Sequence, residues 1–303
     1  MNNFKLTVRA LFLAASSSLI SQYNFDFGLK VGASNYLGDI GGKEQTRRGF
    51  IMDMKLQETN LTGGLYARYK INGTFGIQGS LNVGKISGED QQSENVGRNT
   101  RNLRFKNNIV ELSARGELYI FELNDVGSKG RYWVDMKTYA FGGFTALHHN
   151  PKGRIDGTTE WHKLQPLQTE GVSYSNWGFG IPAGVGLYFT YKRKHRFGME
   201  MAWTTTFTDY LDDISGVYAD PSTLSSTLAA DLANQSHLTD ADDALLANFA
   251  PGEKRGDPTH NDTYLFTTLS YGYVLRGKSN FYSQNYGWLS GRKKTVRKVR
   301  AKF

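Results

Sequence analysis

Trp177-Gly178-Phe179-Gly180-Ile181-Pro182-Ala183-Gly184-Val185-Gly186-Leu187-Tyr188-Phe189-Thr190-Tyr191, then Lys192-Arg193-Lys194-His195, then Arg196-Phe197-Gly198-Met199-Glu200-Met201-Ala202-Trp203-Thr204-Thr205-Thr206-Phe207, decides how this chain folds. In the first arm every second residue from Trp177 is apolar, and those between are mostly glycine. In the second arm Phe197, Met199, Met201, Trp203 and Phe207 alternate with Gly198, Glu200, Ala202, Thr204 and Thr206. A period of two sustained this long specifies strand rather than helix. Each arm exceeds the roughly 5–6 residues of an ordinary soluble strand and reaches the roughly 9–11 that cross a bilayer. Trp177, Tyr191 and Phe207 fall near the ends of the apolar rows, the heights of an interfacial aromatic girdle.

The same alternation recurs along the chain. Strands are expected at Tyr23–Tyr36, Gly63–Ile71, Phe75–Lys85, Asn108–Phe121, Trp133–His148 and Asp262–Leu275, besides the two arms. In the fifth, Tyr139, Phe141, Gly143 and Leu147 form the expected outer row. Asn72-Gly73 is a strong hairpin signal. Between strands lie the polar stretches Leu37–Thr62, Ser87–Lys106, His149–Tyr174 and Thr208–Asn261, alternating with short links. The last stretch carries two expected helices. One is Pro221–Asn234, with Asp220 as N-cap and proline at N1; the other is Ala241–Phe249, capped by Thr239 or Asp240.

Long connections on one side and short ones on the other describe an all-β fold. It is an eight-stranded antiparallel up-and-down transmembrane β-barrel with long extracellular loops, the last partly helical. An even strand count leaves both termini on the short-turn, periplasmic side. A barrel of this size has an interior that side chains fill, and Arg68, Lys70, Glu111, Arg115, Glu117 and Glu200 are expected to pair there. Pro182 has no amide donor and is expected to mark a bulge.

Composition agrees. Glycine numbers 34 of 303, tyrosine 17 and phenylalanine 18. Cysteine is absent, which excludes disulfides and thiolate chemistry. Lys5 and Arg9 precede an apolar run, so residues 1–21 read as an export signal cleaved after Ser21, followed by a barrel over 22–275. The formal charge of +8 sits at the end of the chain. Arg276, Lys278, Arg292, Lys293, Lys294, Arg297, Lys298, Arg300 and Lys302 occupy 276–303 without a single acid, and the rest of the chain is slightly acidic. Trp288 and neighbouring aromatics are candidates to anchor this tail in a partner. Two partners suit it: an acidic surface of a periplasmic protein, or lipid headgroups.

Five runs are similar to the PorG family of Bacteroidetes outer-membrane proteins. They are Asn35-Tyr36-Leu37-Gly38-Asp39, Arg101-Asn102-Leu103-Arg104-Phe105-Lys106, Leu164 to Gly171, Ile181 to Gly186, and Phe207-Thr208-Asp209-Tyr210-Leu211-Asp212-Asp213-Ile214-Ser215. The family's Asn-Asp-Trp appears here as Asn261-Asp262-Thr263. The resemblance implies a non-enzymatic barrel of the type IX secretion system. Such a barrel anchors a periplasmic ring, built from a PorK-like lipoprotein and a PorN-like subunit, to the outer membrane. Site residues expected on this basis are the tail group (Trp288, Arg292, Lys293, Lys294, Arg297, Lys298, Arg300, Lys302) and the rim group (Thr208, Asp209, Tyr210, Asp212, Asp213).

Alternatives remain at this level: a stand-alone barrel acting as a surface binder or narrow channel, and an enzyme at the rim. The rim acids offer carboxylate oxygens to a hard cation but lack EF-hand spacing, and turn hydrogen bonds account for them as well. His148 and His149, adjacent on a strand, point to opposite faces. No nucleophile elbow or His-Glu-x-x-His run occurs, so no catalytic, cofactor or metal site is expected.

Overall fold

The computed structural model describes residues 24–41, 56–124, 134–192 and 194–275. Ten strands form one sheet: β1 (Phe25–Leu37), β2 (Asn60–Lys70), β3 (Phe75–Glu89), β4 (Arg104–Asn124), β5 (Val134–His148), β6 (Pro151–Gly153), β7 (His162–Lys163), β8 (Trp177–Tyr191), β9 (His195–Thr206) and β10 (Thr263–Leu275). Eight of them close into a barrel in the order β3-β2-β1-β10-β9-β8-β5-β4, sealed by the β3–β4 pairing. All the pairings are antiparallel; each barrel strand pairs with the next barrel strand along the chain, and β1 closes on β10 from Phe25↔Leu275 to Leu37↔Thr263. Closure leaves no barrel strand with an unpaired edge, the requirement for a sheet in hydrocarbon. β1, β3, β5 and β9 run toward the end that carries the long connections, and β2, β4, β8 and β10 run toward the end of the short ones.

Side chains obey the period of two. Phe27, Leu29, Val31, Leu65, Ile77, Leu81, Val83, Leu112, Phe179, Val185, Met199 and Leu269 face outward and are exposed, an apolar belt around the whole barrel. Inward residues are buried and mostly polar or aromatic, with aliphatic ones such as Ile86, Ile109, Leu147 and Val274 near the barrel ends. No helix among the described residues is long and apolar enough to cross a membrane, so strands do the crossing.

The strand boundaries depart from expectation mainly on the long-loop side. β3 runs on to Glu89 and β4 starts at Arg104, so both ends of the polar stretch 87–106 extend the barrel hairpin beyond the belt. Periodicity there is carried by charged residues, which hid it. On β5 the expected outer row is wrong: Tyr139, Phe141 and Leu147 are buried inside, while Gly142 and Phe144 face out. The glycine opposite explains it, because a Cβ on Gly186 would come within 2.5 Å of the Tyr139 ring. That missing side chain is the space the tyrosine fills.

Pro182 makes no bulge either. The β5–β8 register is the same on both sides of it, with pairing skipped between Gly142↔Ala183 and Thr145↔Gly180. Its pairing with Thr204 is regular. The missing donor thus interrupts the ladder without shifting it. The one register shift between β4 and β5 lies at Tyr119/Phe121, and it turns both Ile120 and Phe121 outward.

The long excursion is less helical than expected. Asp220 does cap a turn, but only the 3-10 turn Pro221–Thr223. A separate helix α2 (Thr227–Ala233) starts under the Ser226 cap. Helix α3 (Asp243–Leu246) is capped by Asp242 rather than Thr239 or Asp240. An earlier helix, α1 (Val96–Arg101), ends in Asn102 at φ 57, a left-handed cap that asparagine accepts.

Candidate functional site

Among the described residues, buried and hydrogen-bonded side chains occupy the lumen at several heights. At mid-height Lys30 Nζ donates to Gln78 and to Glu200, both at 2.9 Å. Arg115 donates to the second oxygen of Glu200 at 2.5 Å. Arg68 Nε donates to Glu117 at 2.9 Å and its Nη2 to the Tyr139 hydroxyl at 2.9 Å. Tyr139 passes its own proton toward Glu200 at 2.8 Å. Tyr119 and Gln78 complete the shell of Glu117. Nearer the short turns, Arg196 pairs with Asp26 and lies 4.3 Å over the Tyr188 ring. Lys137 pairs with Glu122. Toward the loops, Glu111 accepts from Asn82 at 2.9 Å and from Tyr264.

Of the expected internal network, Arg68, Arg115, Glu117 and Glu200 form ion pairs, whereas Glu111 is held by neutral donors. Lys70 lies over the Tyr119 ring beside Lys137. Lys30, Asp26 and Arg196 are partners that strand alternation alone placed inside but did not single out.

Above the lumen sits a cap. Its apolar part is a cluster of Tyr36, Ile40, Ile86, Leu103, Phe105, Ile109, Leu147, Leu211, Ile214, Tyr264 and Phe266. The rim run at 208–213 is folded into it rather than displayed. Asp212 accepts from the Tyr36 hydroxyl at 2.7 Å and from the Ile214 amide at 3.0 Å. Asp262 accepts from the same hydroxyl at 2.5 Å and from the Leu211 amide at 2.8 Å. One phenol has one proton, so two carboxyls on it are satisfied only if one of them is itself protonated. Burial raises both well above the usual carboxylate range, helped by Asp39 beside Asp212 and by Asp212 beside Asp262.

Asp213 sits at φ 71 and accepts from Thr169 at 2.5 Å and Tyr174 at 2.6 Å. Burial lifts it to about 6. Asp209 is also buried, and burial, then Asp39, Glu170 and Asp257, lift it to about 7 against a hydrogen bond from Ser215. Tyr210 stacks on Tyr174 with centroids 4.6 Å apart. Thr208 accepts a backbone bond from Asp262 at 3.2 Å.

Two arginines tie the loops of this cap to one another, and sequence reasoning did not single them out. Arg101 grips Asp90 with Nε at 2.7 Å and Nη2 at 3.0 Å, and donates to the carbonyls of Arg255 and Asp39, each at 2.7 Å. Arg255 donates to Glu170 at 3.0 Å and to the Asp213 carbonyl at 2.7 Å. The signal was there in part: Arg101, Glu170 and Asp39 each fall inside a run quoted above. Tyr36, Asp39, Arg101, Thr169, Glu170, Asp212, Asp213 and Asp262 come from distant runs and meet in this one assembly.

Among the described residues no cluster of three or more His, Asp or Glu side chains is arranged to hold a metal ion. His148 and His149 do diverge: His148 packs on Trp177 at 5.1 Å, and His149 is fully buried against Tyr174. Neither ring nitrogen of His149 has a partner, and burial pushes it down to about 4. The tail group, Trp288 and the cations from Arg292 to Lys302, lies outside the described residues, as does the expected signal at 1–21.

A closed antiparallel barrel with an apolar outer belt and a polar, packed interior is an outer-membrane β-barrel. Within that class the chain belongs to the DUF6089 family, a domain of unknown function, whose model matches residues 5–236. No curated protein matches the sequence. Among solved structures it is similar to Ail, the attachment invasion locus protein of Yersinia pestis. Identity is 13% and the TM-score 0.35, over 83% of this chain and 99% of that one. It is also similar to the outer membrane protein OprG from Pseudomonas aeruginosa, at 10% identity and TM-score 0.36, over 85% and 99%. The fold itself rests on the strand pairings.

Proposed function

We propose that this chain is a structural anchor: an outer-membrane barrel that holds a periplasmic ring of the type IX secretion machinery through its basic tail. The observation that carries the proposal is the placement of the chain's exit. Leu275 pairs with Phe25 beside the short-turn end, so β10 ends on the side opposite the cap, which supports a periplasmic course for the tail that follows it in sequence. A lumen packed with ion pairs speaks for an anchor rather than a conduit. Four of the five PorG-like runs meet in one cap, the exception being Ile181–Gly186 in β8, and this supports the same family reading, with PorK-like and PorN-like proteins as the ring partners.

Deleting 277–303 is expected to leave a barrel with unchanged heat-modifiable mobility while ring subunits no longer co-purify from native membrane in mild detergent. Full recovery of the ring with the truncated chain removes the tail from the account. The filled lumen also predicts no single-channel conductance in planar bilayers, and a stable open state there favours the channel alternative.

A further inference from the structure

The outward row that forms the lipid belt does not stop where the apolar residues do. On β3 it continues from Val83 to Lys85, and on β4 from Val110 through Asn108 to Lys106. Lys106 is directly opposite Lys152 of β6, and Lys152 is directly opposite Lys163 of β7. Directly opposed residues in a sheet share a face, so three lysines stand in one cross-strand row with Lys85 beside them.

The charged groups facing Lys106 are Lys85, Lys152 and Arg154, with no acid among them. Lys106 Nζ lies 3.8 Å over the Trp161 ring, and the Arg154 guanidinium lies 5.3 Å over the same ring. Among the described residues, Lys85, Lys106, Lys152, Lys163 and Arg154 make no salt bridge. The neighbouring Arg104 does, with Glu89 at 2.7 Å. Like charges directly opposite one another destabilise a sheet, so an unneutralised row of three carries a cost that a bound anion removes.

Height identifies the anion. Two and four residues past the end of the belt correspond to about 7 and 14 Å along a strand. At a tilt near 45° this is about 5 and 10 Å above the hydrocarbon, within or just past the headgroup layer. The row is on the long-loop side, which faces the exterior in barrels of this class. Trp161 supplies the amphipathic ring that favours such an interface.

We propose that Lys85, Lys106, Lys152 and Lys163, with Arg154 and Trp161 beside them, seat the phosphate groups of phosphorylated glycolipid in the outer leaflet. The seat is continuous with the lipid-facing belt, so acyl chains on the belt and phosphates on the lysines belong to one lipid molecule. This inference depends on the barrel and its orientation and is independent of the ring.

The test uses the full chain in zwitterionic detergent, titrated with bis-phosphorylated lipid A and with its dephosphorylated counterpart, and read by native mass spectrometry. The phosphorylated lipid is expected to bind at least tenfold more tightly. The triple variant Lys85→Gln/Lys106→Gln/Lys152→Gln is expected to lose roughly a hundredfold in affinity, from the usual contribution of three surface cations at a membrane. The corresponding triple arginine variant retains binding, and both keep the gel-mobility shift of a folded barrel. Binding of the glutamine variant within threefold of wild type overturns the proposal, as does equal binding of the dephosphorylated lipid. Displacement of the lipid by millimolar inorganic phosphate overturns it too, since that marks a free-ion site.

Discussion

The lumen and the cap bury acids in opposite ways. In the lumen each deep carboxylate among Asp26, Glu117 and Glu200 faces a guanidinium or ammonium: Arg196 and Arg68, Arg68, and Arg115 with Lys30. In the cap Asp212, Asp213 and Asp262 are held by hydroxyls and backbone amides, and Asp39 and Asp209 crowd them. Acids outnumber bases there, and the two arginines present, Arg101 and Arg255, are already committed to Asp90 and Glu170. The lumen is held by ion pairs and depends on their geometry. The cap depends on protons.

The largest effect expected from breaking this contrast is in the lumen. Glu117→Ala removes the acceptor of Arg68, Gln78 and Tyr119 together. Arg68 keeps only the longer contact to Asp26 at 3.8 Å and its bond to Tyr139. Removing one partner of a buried ion pair costs about 3–5 kcal/mol, to be read as a lower urea midpoint of the detergent-folded barrel. A midpoint within experimental scatter of wild type means water reaches Arg68 and the lumen is not packed as described.

Gly186→Ala comes next. The added Cβ meets the Tyr139 ring at 2.5 Å, and the ring is tied to both Arg68 and Glu200. Overpacking of this sort costs about 1–3 kcal/mol. Pairing Gly186→Ala with Tyr139→Phe sharpens the comparison. If the glycine serves the hydrogen-bonded position of Tyr139, the two losses are less than additive.

Third in size is Ser226→Ala, which removes the hydroxyl accepting from the Ala229 amide at 3.1 Å. Loss of an N-cap costs about 1 kcal/mol. The loss is expected as faster hydrogen exchange confined to 227–233, with β-strand amides unchanged. Exchange that spreads into β9 and β10 shows that cap and barrel open as one unit.

The two regions also differ in how legible they were. The barrel strands could be read because alternation is a local property, written into consecutive residues such as 177–191. Direction in or out followed wherever one face was plainly apolar. It failed on β5, where Tyr139 and Phe141 are large yet belong inside, because the deciding fact is an absent side chain on another strand. The cap was scarcely legible. Asp212 and Asp262 are fifty residues apart in sequence, and nothing near either one announces the hydroxyl of Tyr36 that joins them. The acidic run at 208–213 reads as an exposed rim, yet Asp209, Asp212 and Asp213 are all buried. Arg101 and Arg255 read as ordinary loop cations for the same reason: a buried ion pair is defined by a distant partner.

The smallest predicted effect tests the proton dependence of the cap directly. Asp209 and Asp213 are raised to about 7 and about 6, so the folded cap binds more protons than the opened one above the ordinary carboxylate value near 4. Their contribution is complete in acid and is lost as pH rises through those values. His149, lowered to about 4, acts in the other direction: it costs stability in acid and stops mattering above its ordinary value near 6.5. Between pH 6.5 and 8 only the carboxyl effect remains. Proteolysis or hydrogen exchange within 207–262 is thus expected to quicken a few-fold from pH 6.5 to 8, a modest change because Asp213, raised only to about 6, has lost most of its proton before this window opens. Asp209→Asn flattens the profile, since an amide has no proton to lose, while lumen-lined β8 amides stay protected throughout. Acceleration that survives in Asp209→Asn assigns the effect to the Asp212–Asp262 pair instead. A flat wild-type profile removes the protonated carboxyls from the cap and, with them, the distinction between the two regions.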